Sequence, residues 1–441
     1  MAELGALPPQ IRCPLPAQRS AALVDTLARH ECPALTARRA RRAETAGAPH
    51  DPIVWTRARG CNVVDADDNI YVDLSAGFGA AAVGHAHPAV VAAVQAQSER
   101  LMHALGDLHP SDVKVQLLSR LAALAPFDDA AVVLGLHGGD AVEAALKTAV
   151  LHTGRPGVLA FDGGYHGLSH GPLSICGYSA QFRAPFAAQL NPHTAFAPYP
   201  RNVSLDVAIA AVTAAWPADL EIGAVVVEPV LGRGGIVPPP AGFLAALGEL
   251  CHARGAVLVV DAVMTGIGRS GELLGGAGPE ADLICLGKAL GGGMPVSACI
   301  GRREVMGAWG DPDGQALHTA TFFGHPVGAA AALATLDVTQ GEDLPARAAA
   351  RGDAFRQRLG SLRDAHACVT DVRGRGLLLG IELDDGGRAL RIGRTLLQDG
   401  YITVPAADDA RVVSLTPPLT VDDALLNGFI EALDRALGHD A

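Results

Sequence analysis

Two kinds of hydrophobic pattern alternate along this chain. From about residue 130 to 300, short unbroken apolar runs recur: AAVVLGL (130–136), GVLAF (157–161), IGAVVVEP (222–229), AVLVVD (256–261) and ADLICLG (281–287). Between them lie helical stretches, such as one from Asp140 with Val142, Ala145, Leu146 and Ala149 on one face, and another over 242–254. Unbroken β-branched runs separated by helices predict a mostly parallel sheet covered on both faces.

The flanks read differently. Residues 1 to about 50 form a polar, partly helical lead-in. CNVVDADDNIYVDLS (61–75) predicts two short strands joined by a hairpin turn at Asp65-Ala66-Asp67-Asp68-Asn69. A calcium loop would need a later glycine and glutamate that are absent here. From about 331 the pattern predicts a long helix, a hairpin over 374–383, another helix and a last strand near 411–415, which together make a smaller α+β lobe joined by the N-terminal segment.

At 441 residues the chain exceeds one ordinary core, and 49% hydrophobic against 18% charged residues excludes a disordered chain. The net charge of −12 argues against a phosphate-backbone binder, so nucleic acid is not expected as a partner. The run Ala37-Arg38-Arg39-Ala40-Arg41-Arg42 is accordingly read as a solvated helix face. No apolar run approaches the ~18 residues that span a bilayer, so no membrane is expected, and no secretory signal is visible. Eight cysteines are scattered without a Cys-x-x-Cys pair, which predicts a reducing, cytoplasmic setting and neither a disulfide scaffold nor a metal site.

Only three lysines occur, Lys114, Lys147 and Lys288. In an open α/β sheet, ligands sit beyond the carboxyl ends of the strands, and each strand here delivers something there. After the first come Gly138 and Gly139 at a helix start, where exposed N–H groups and the helix dipole favour an anion. After the second come Gly163-Gly164-Tyr165-His166-Gly167, with an aromatic able to stack on a planar ring. The third ends in Glu228-Pro229, followed by the loop Gly232-Arg233-Gly234-Gly235. The fourth ends in Asp261, a carboxylate that needs a cation such as a protonated ring nitrogen. The fifth ends in Gly287-Lys288, an amine that desolvation keeps neutral and nucleophilic, fit to form a Schiff base with an aldehyde. A phosphate seat, a stacking ring, a carboxylate and an amine are together the requirements of pyridoxal 5′-phosphate.

These residues carry a resemblance. The chain resembles the class III (ω-type) aminotransferases, pyridoxal-phosphate enzymes of fold type I, from GFGAAAVGHAHP (77–88) to TPPLT (416–420). The most specific stretches are VVVEPVLGRGG (225–235), DAVMTGIGRSG (261–271), LGKALGGGMP (286–295) and HTATFFGHP (318–326).

The resemblance implies an α/β fold with a mostly parallel central sheet, helices on both faces and a smaller α+β domain. Residues 1–75 would contribute to that small domain, 76–330 would form the large cofactor-binding domain and 331–441 the small domain. Lys288 is implied to hold the cofactor and Asp261 to pair with its ring nitrogen. Tyr165, with His166 beside it, and Val263 would flank the ring, and Gly138 and Gly139 would seat the phosphate. Thr321 is implied to reach the phosphate of a neighbouring subunit, hence a homodimer with shared active sites. Phe78 and Glu228 are implied to face the substrate. The activity implied is ping-pong transfer of an amino group from an amino acid or amine to a keto acid or aldehyde. A racemase, epimerase, decarboxylase or aminomutase on the same residues is the alternative, and a catalytically inactive protein of this fold is the third reading.

The chain departs from the family's pattern in four places. Asp261-Ala262-Val263-Met264 replaces the usual Asp-Glu-Val-Gln, Gly139 stands where Ser or Thr is common, and Leu231 replaces a frequent glutamine. Ser414 stands where many members have the arginine that grips an α-carboxylate. Arg411, three residues away, falls on the opposite strand face by period-2 counting. Carboxylate capture must then come from elsewhere, or the donor is not an ordinary α-amino acid.

Overall fold

A computed structural model describes residues 3–47, 52–310 and 315–440. Strands β1 (Trp55–Arg59), β2 (Asn62–Asp65) and β3 (Ile70–Asp73) form an antiparallel unit near the N-terminus. The expected hairpin turn lies between β2 and β3. Asp65 Oδ1 accepts hydrogen bonds from the backbone N–H of Asp67 and Asn69, both at 2.9 Å, so the acidic cluster folds the turn inward. Helices Gln18–His30 and Pro33–Ala46 precede it, and the second carries the arginine run; the side chains of Arg38 and Arg39 lie outside the described residues.

The central sheet has seven strands: β4 (Ala130–Gly135), β5 (Gly157–Phe161), β6 (Thr194–Ala197), β7 (Ile222–Val227), β8 (Val257–Asp261), β9 (Leu283–Leu286) and β10 (Ser297–Arg302). Their order is β4-β10-β9-β8-β7-β5-β6. β6, β5, β7, β8 and β9 pair in parallel, and β10 runs antiparallel between β9 and β4. Alternate residues enter opposite cores: Leu159, Phe161, Leu258 and Val260 pack on one side, Val158, Ala160, Val257 and Val259 on the other. That alternation with both faces buried is why these strands read as unbroken apolar runs.

Helix Gly138–Thr153 covers one face with Ala141, Val142, Ala144, Ala145 and Ala149. It starts two residues earlier than the sequence suggests. His137 caps it, and Asp140 Oδ2 accepts from the N–H groups of Leu136 (2.8 Å) and His137 (3.2 Å).

The long helix expected after 331 is two helices, Pro326–Gly341 and Leu344–Ala365. Asp343 at φ +49° and Pro345 in the first turn of the second helix break the run. β11 (Val369–Arg375) and β12 (Leu378–Leu383) form the expected hairpin. They join β14 (Val404–Ala406) and β15 (Val412–Leu415) in a sheet ordered β11-β12-β15-β14, while β13 (Tyr401–Ile402) pairs in parallel with β3. The C-terminal lobe is thus stitched to the N-terminal segment by backbone hydrogen bonds.

Candidate active site

Beyond the carboxyl ends of β4, β5, β7, β8 and β9 lies a cavity of about 530 Å³. Phe78, Gly138, Gly139, Tyr165, His166, Glu228, Asp261, Val263 and Lys288 all line it. Thr321 does not. It is exposed and borders a separate small crevice with His103 and Lys114, so any contact it makes with a cofactor needs a second chain.

Asp261 ends β8 and is 3% exposed. Its Oδ1 accepts from the N–H of Val263 at 3.0 Å, and its Oδ2 lies 2.7 Å from Nδ1 of the buried His166. Burial by itself lowers the His166 imidazole. The hydrogen bond and charge of Asp261, with Glu228 behind them, outweigh it and raise the group above its ordinary 6.5. The other ring nitrogen, Nε2, is buried without a hydrogen-bond partner.

Lys288 follows β9 in a 3₁₀ turn, Lys288–Gly291, at φ +43°. A non-glycine residue in that region is strained, and such strain collects at functional sites. Burial lowers its pKa and Arg233 adds to the effect, against the opposing charges of Asp261 and Glu228. The amine is thereby shifted toward its neutral, nucleophilic form.

Glu228 lies just past β7. Its Oε1 accepts from Tyr165 N–H and its Oε2 from Gly232 N–H, each at 2.9 Å. Burial raises the carboxyl to about 7; Asp261 adds to this, while His166 and the two backbone bonds oppose it.

Helix Gly138–Thr153 points its N-terminus at this cavity, and the N–H groups of Gly138 and Gly139 come before the turn's first backbone hydrogen bond, from Asp140 N–H to His137 O at 2.9 Å. A Cβ on Gly138 would come within 2.6 Å of Val263 Cγ1, so only glycine lets the helix start approach the wall that Val263 forms. An anion seat, a deep carboxylate, a lysine displaced from its ordinary titration, Tyr165 and Val263 converge on one cavity. The donor set fits pyridoxal phosphate: a cradle for a dianion, apolar and aromatic walls for a planar ring, a carboxylate for a cationic nitrogen and an amine for an aldehyde.

The sequence profile described as "Aminotransferase class-III" matches residues 44–437. The chain belongs to the class-III aminotransferases. It is 37% identical to the acetylornithine aminotransferase of Methanopyrus kandleri over 88% of this chain and 94% of that one. To the protein of the same name from Mycobacterium tuberculosis it is 37% identical over 88% and 93%. Among solved structures, the pyridoxal-phosphate-bound amine transaminase of an uncultivated Pseudomonas species superposes with TM-score 0.82 at 29% identity, covering 89% of this chain and 96% of that one. The ornithine aminotransferase of Toxoplasma gondii gives 0.81 at 26% identity over 95% and 94%. Pyridoxal phosphate is therefore the cofactor of this class-III aminotransferase, transamination its reaction and fold type I its architecture.

Of the departures noted in the sequence, Gly139, Met264 and Ser414 line the cavity, whereas Ala262 and Leu231 are buried and do not line it. Arg411 does not line it and is ion-paired with Asp409. Sequence reasoning passed over Arg233, whose guanidinium enters the cavity over the Tyr165 ring. The signal available was a lone cation in the glycine loop after Glu228. Val404, Pro405 and Ala406, on an edge strand of the C-terminal lobe, also line the cavity and carried no sequence signal.

Proposed function

We propose that this aminotransferase works in two half-reactions, taking an amino group from an amino acid or amine and passing it to a keto acid or aldehyde. The supporting observation is the convergence of Lys288 and Asp261 on one cavity with the helix start at Gly138. Bound there, the cofactor supplies an electron sink for the bond broken at the donor's α-carbon.

The chain's own residues do the rest. Gly138 and Gly139 offer N–H groups to the phosphate. Tyr165 and Val263 flank the ring. The Asp261 carboxylate, oriented by His166 Nδ1 and Val263 N–H, keeps a proton on the ring nitrogen. Lys288 Nζ would take up and return the proton of the donor's α-carbon, a role that its depressed pKa favours. Phe78 and Glu228 border the substrate. The division into an N-terminal segment (1–75), a large domain (76–330) and a small domain (331–441) places the cavity between the second and third.

A homodimer, in which Thr321 of one copy reaches the other's phosphate, and a cytoplasmic setting belong to the same proposal. All eight cysteines are free, which suits a reducing compartment. Among the described residues no helix is long and apolar enough to cross a membrane. Sedimentation of the cofactor-loaded protein is expected to read the mass of two chains, and a monomer would remove the Thr321 role.

The deciding experiment mixes the loaded protein with a panel of amines and amino acids, N-acetylornithine included, without any acceptor. Loss of the cofactor's visible band, reversed by added keto acid, is the expected outcome. Loss of the donor's optical activity with the band retained would favour the racemase alternative, and inertness toward the whole panel would favour an inactive protein.

A further inference from the structure

Ser414 gives the cavity wall at β15 a hydroxyl and no charge, but the cavity does hold a cation that can bind an acid. Among the described residues lining the cavity, Arg233 is the one arginine. Its loop is fixed from three sides. Gly232 N–H donates to Glu228 Oε2, and the Arg233 carbonyl accepts from Ala407 N–H at 2.9 Å. A Cβ on Gly234 would come within 2.4 Å of Gly163 O, so the chain here is packed against the loop that carries Tyr165.

The side chain is fixed as well. Its Cζ lies 4.5 Å from the Tyr165 ring centroid, 4.8 Å from that of Tyr178 and 5.5 Å from that of Phe182. Tyr178 is itself held by donating its hydroxyl to Ala407 O at 2.8 Å. Cation–π contacts hold the guanidinium through its charge and leave its N–H groups to donate to a planar acceptor.

Other arginines near this end of the molecule have partners. Arg373 donates to the carbonyls of Gly235 and Ile236 and pairs with Asp371 and Glu382, and Arg411 pairs with Asp409. Among the described contacts no carboxylate pairs with Arg233, and Glu228 beside it directs both oxygens to backbone N–H groups.

We propose that Arg233 is the substrate-carboxylate anchor of this active site, and that the substrates are amino acids and oxo acids rather than carboxylate-free amines and aldehydes. The inference deepens the transamination reading and rests on it. One anchor serves both half-reactions, because donor and acceptor each present a carboxylate to the same fork.

The test compares the cofactor-loaded wild type with Arg233→Gln and Arg233→Lys. The donors are alanine, 4-aminobutanoate and butylamine, followed by loss of the visible band. Pentanoate, which lacks an amine, is titrated separately by calorimetry. Wild type should prefer a carboxylate donor over butylamine, and whether alanine or 4-aminobutanoate is preferred says which carboxylate is held. Arg233→Gln should cut that preference about 10- to 100-fold, in KM rather than kcat, and weaken pentanoate by a similar factor. Arg233→Lys, with the charge but not the fork, should recover part of both, and it carries the test if the glutamine variant does not fold.

Preference and pentanoate affinity within about 2-fold of wild type in both variants would overturn the anchor while leaving transamination intact. Pentanoate binding that depends on Arg233 without any donor changing the band would support the anchor and sink the transamination reading instead.

Discussion

Asp261 and Arg233 line the same cavity and are held there by different forces. Asp261 is the last residue of a strand whose preceding four residues, Val257 to Val260, are buried on both faces of the sheet. Its place follows from the core, and a local shift would require moving the strand. Arg233 sits on a glycine loop and is positioned by three aromatic rings and a hydrogen bond from Ala407, far away in sequence. The wall proposed to hold the cofactor is thus an extension of the buried central sheet. The substrate wall is an assembly of loops and the C-terminal lobe, with Val404 to Ala406 and Ser414 facing inward. Chemistry common to a family belongs on the first wall and selectivity on the second, since loops can change without disturbing the core.

The largest effect should follow from breaking the first wall at its amine. Lys288→Ala is expected to lower turnover by at least ~10³-fold, since no other lysine lines the cavity to carry the proton. Thermal unfolding should stay near wild type, because burial disfavours the charge that the substitution removes. Turnover within 10-fold of wild type would move the chemistry elsewhere.

Asp261→Asn comes next. The amide oxygen can still accept from Val263 N–H, so stability should fall by only about 1–3 kcal/mol. The rate should fall ~10²-fold or more, because a neutral amide cannot hold a ring nitrogen protonated. The same variant should reverse the titration of His166. Without the carboxylate, burial prevails and the imidazole drops below 6.5 rather than rising above it. Equal losses in rate and stability, measured by steady-state kinetics and denaturant unfolding, would make Asp261 a structural carboxylate.

How legible each wall was in the sequence follows the same division. Strands β5, β7, β8 and β9 announce themselves as apolar runs, and the residue after each run is a chemical candidate by position alone. The helices expected from Asp140 and over 242–254 start and end within two residues of those bounds, whereas the hairpin expected from 374 opens at Val369 and the helix expected from about 331 opens at Pro326. β10 escaped because Ser297–Arg302 mixes serine and glycine with its apolar residues, and an antiparallel strand between β4 and β9 has no helix crossover to mark it. The break at Asp343 was hidden because alanine-rich sequence continues on both sides of it. Arg233 escaped because the partners that aim it are Tyr165, Tyr178, Phe182 and Ala407, a set that only tertiary folding assembles. Ser414 could be recognised as a missing arginine, but its replacement could not be located from strand periodicity.

Glu228 stands where the two walls meet, and its titration offers the smallest and sharpest test. Burial raises its carboxyl from the ordinary 4.5 to about 7. Between those values the folded state holds a proton that the unfolded state has released. The stabilising contribution is therefore full below pH 4.5 and is lost as pH rises through about 7. Glu228→Gln removes that proton exchange, so the difference in stability between pH 5 and pH 7.5 should shrink by about 1–3 kcal/mol relative to wild type. His166, also raised, contributes a fall of the same sign and remains in the variant, so the curve should flatten without becoming level. Gln offers one acceptor to Tyr165 N–H or Gly232 N–H where the carboxylate offers two. The loop that carries Arg233 should then loosen, and KM for a carboxylate donor should rise by a few fold with kcat little changed. Parallel stability curves for the two proteins would mean that Glu228 is ionised throughout, and the two walls would then meet at a fixed charge rather than a titrating one.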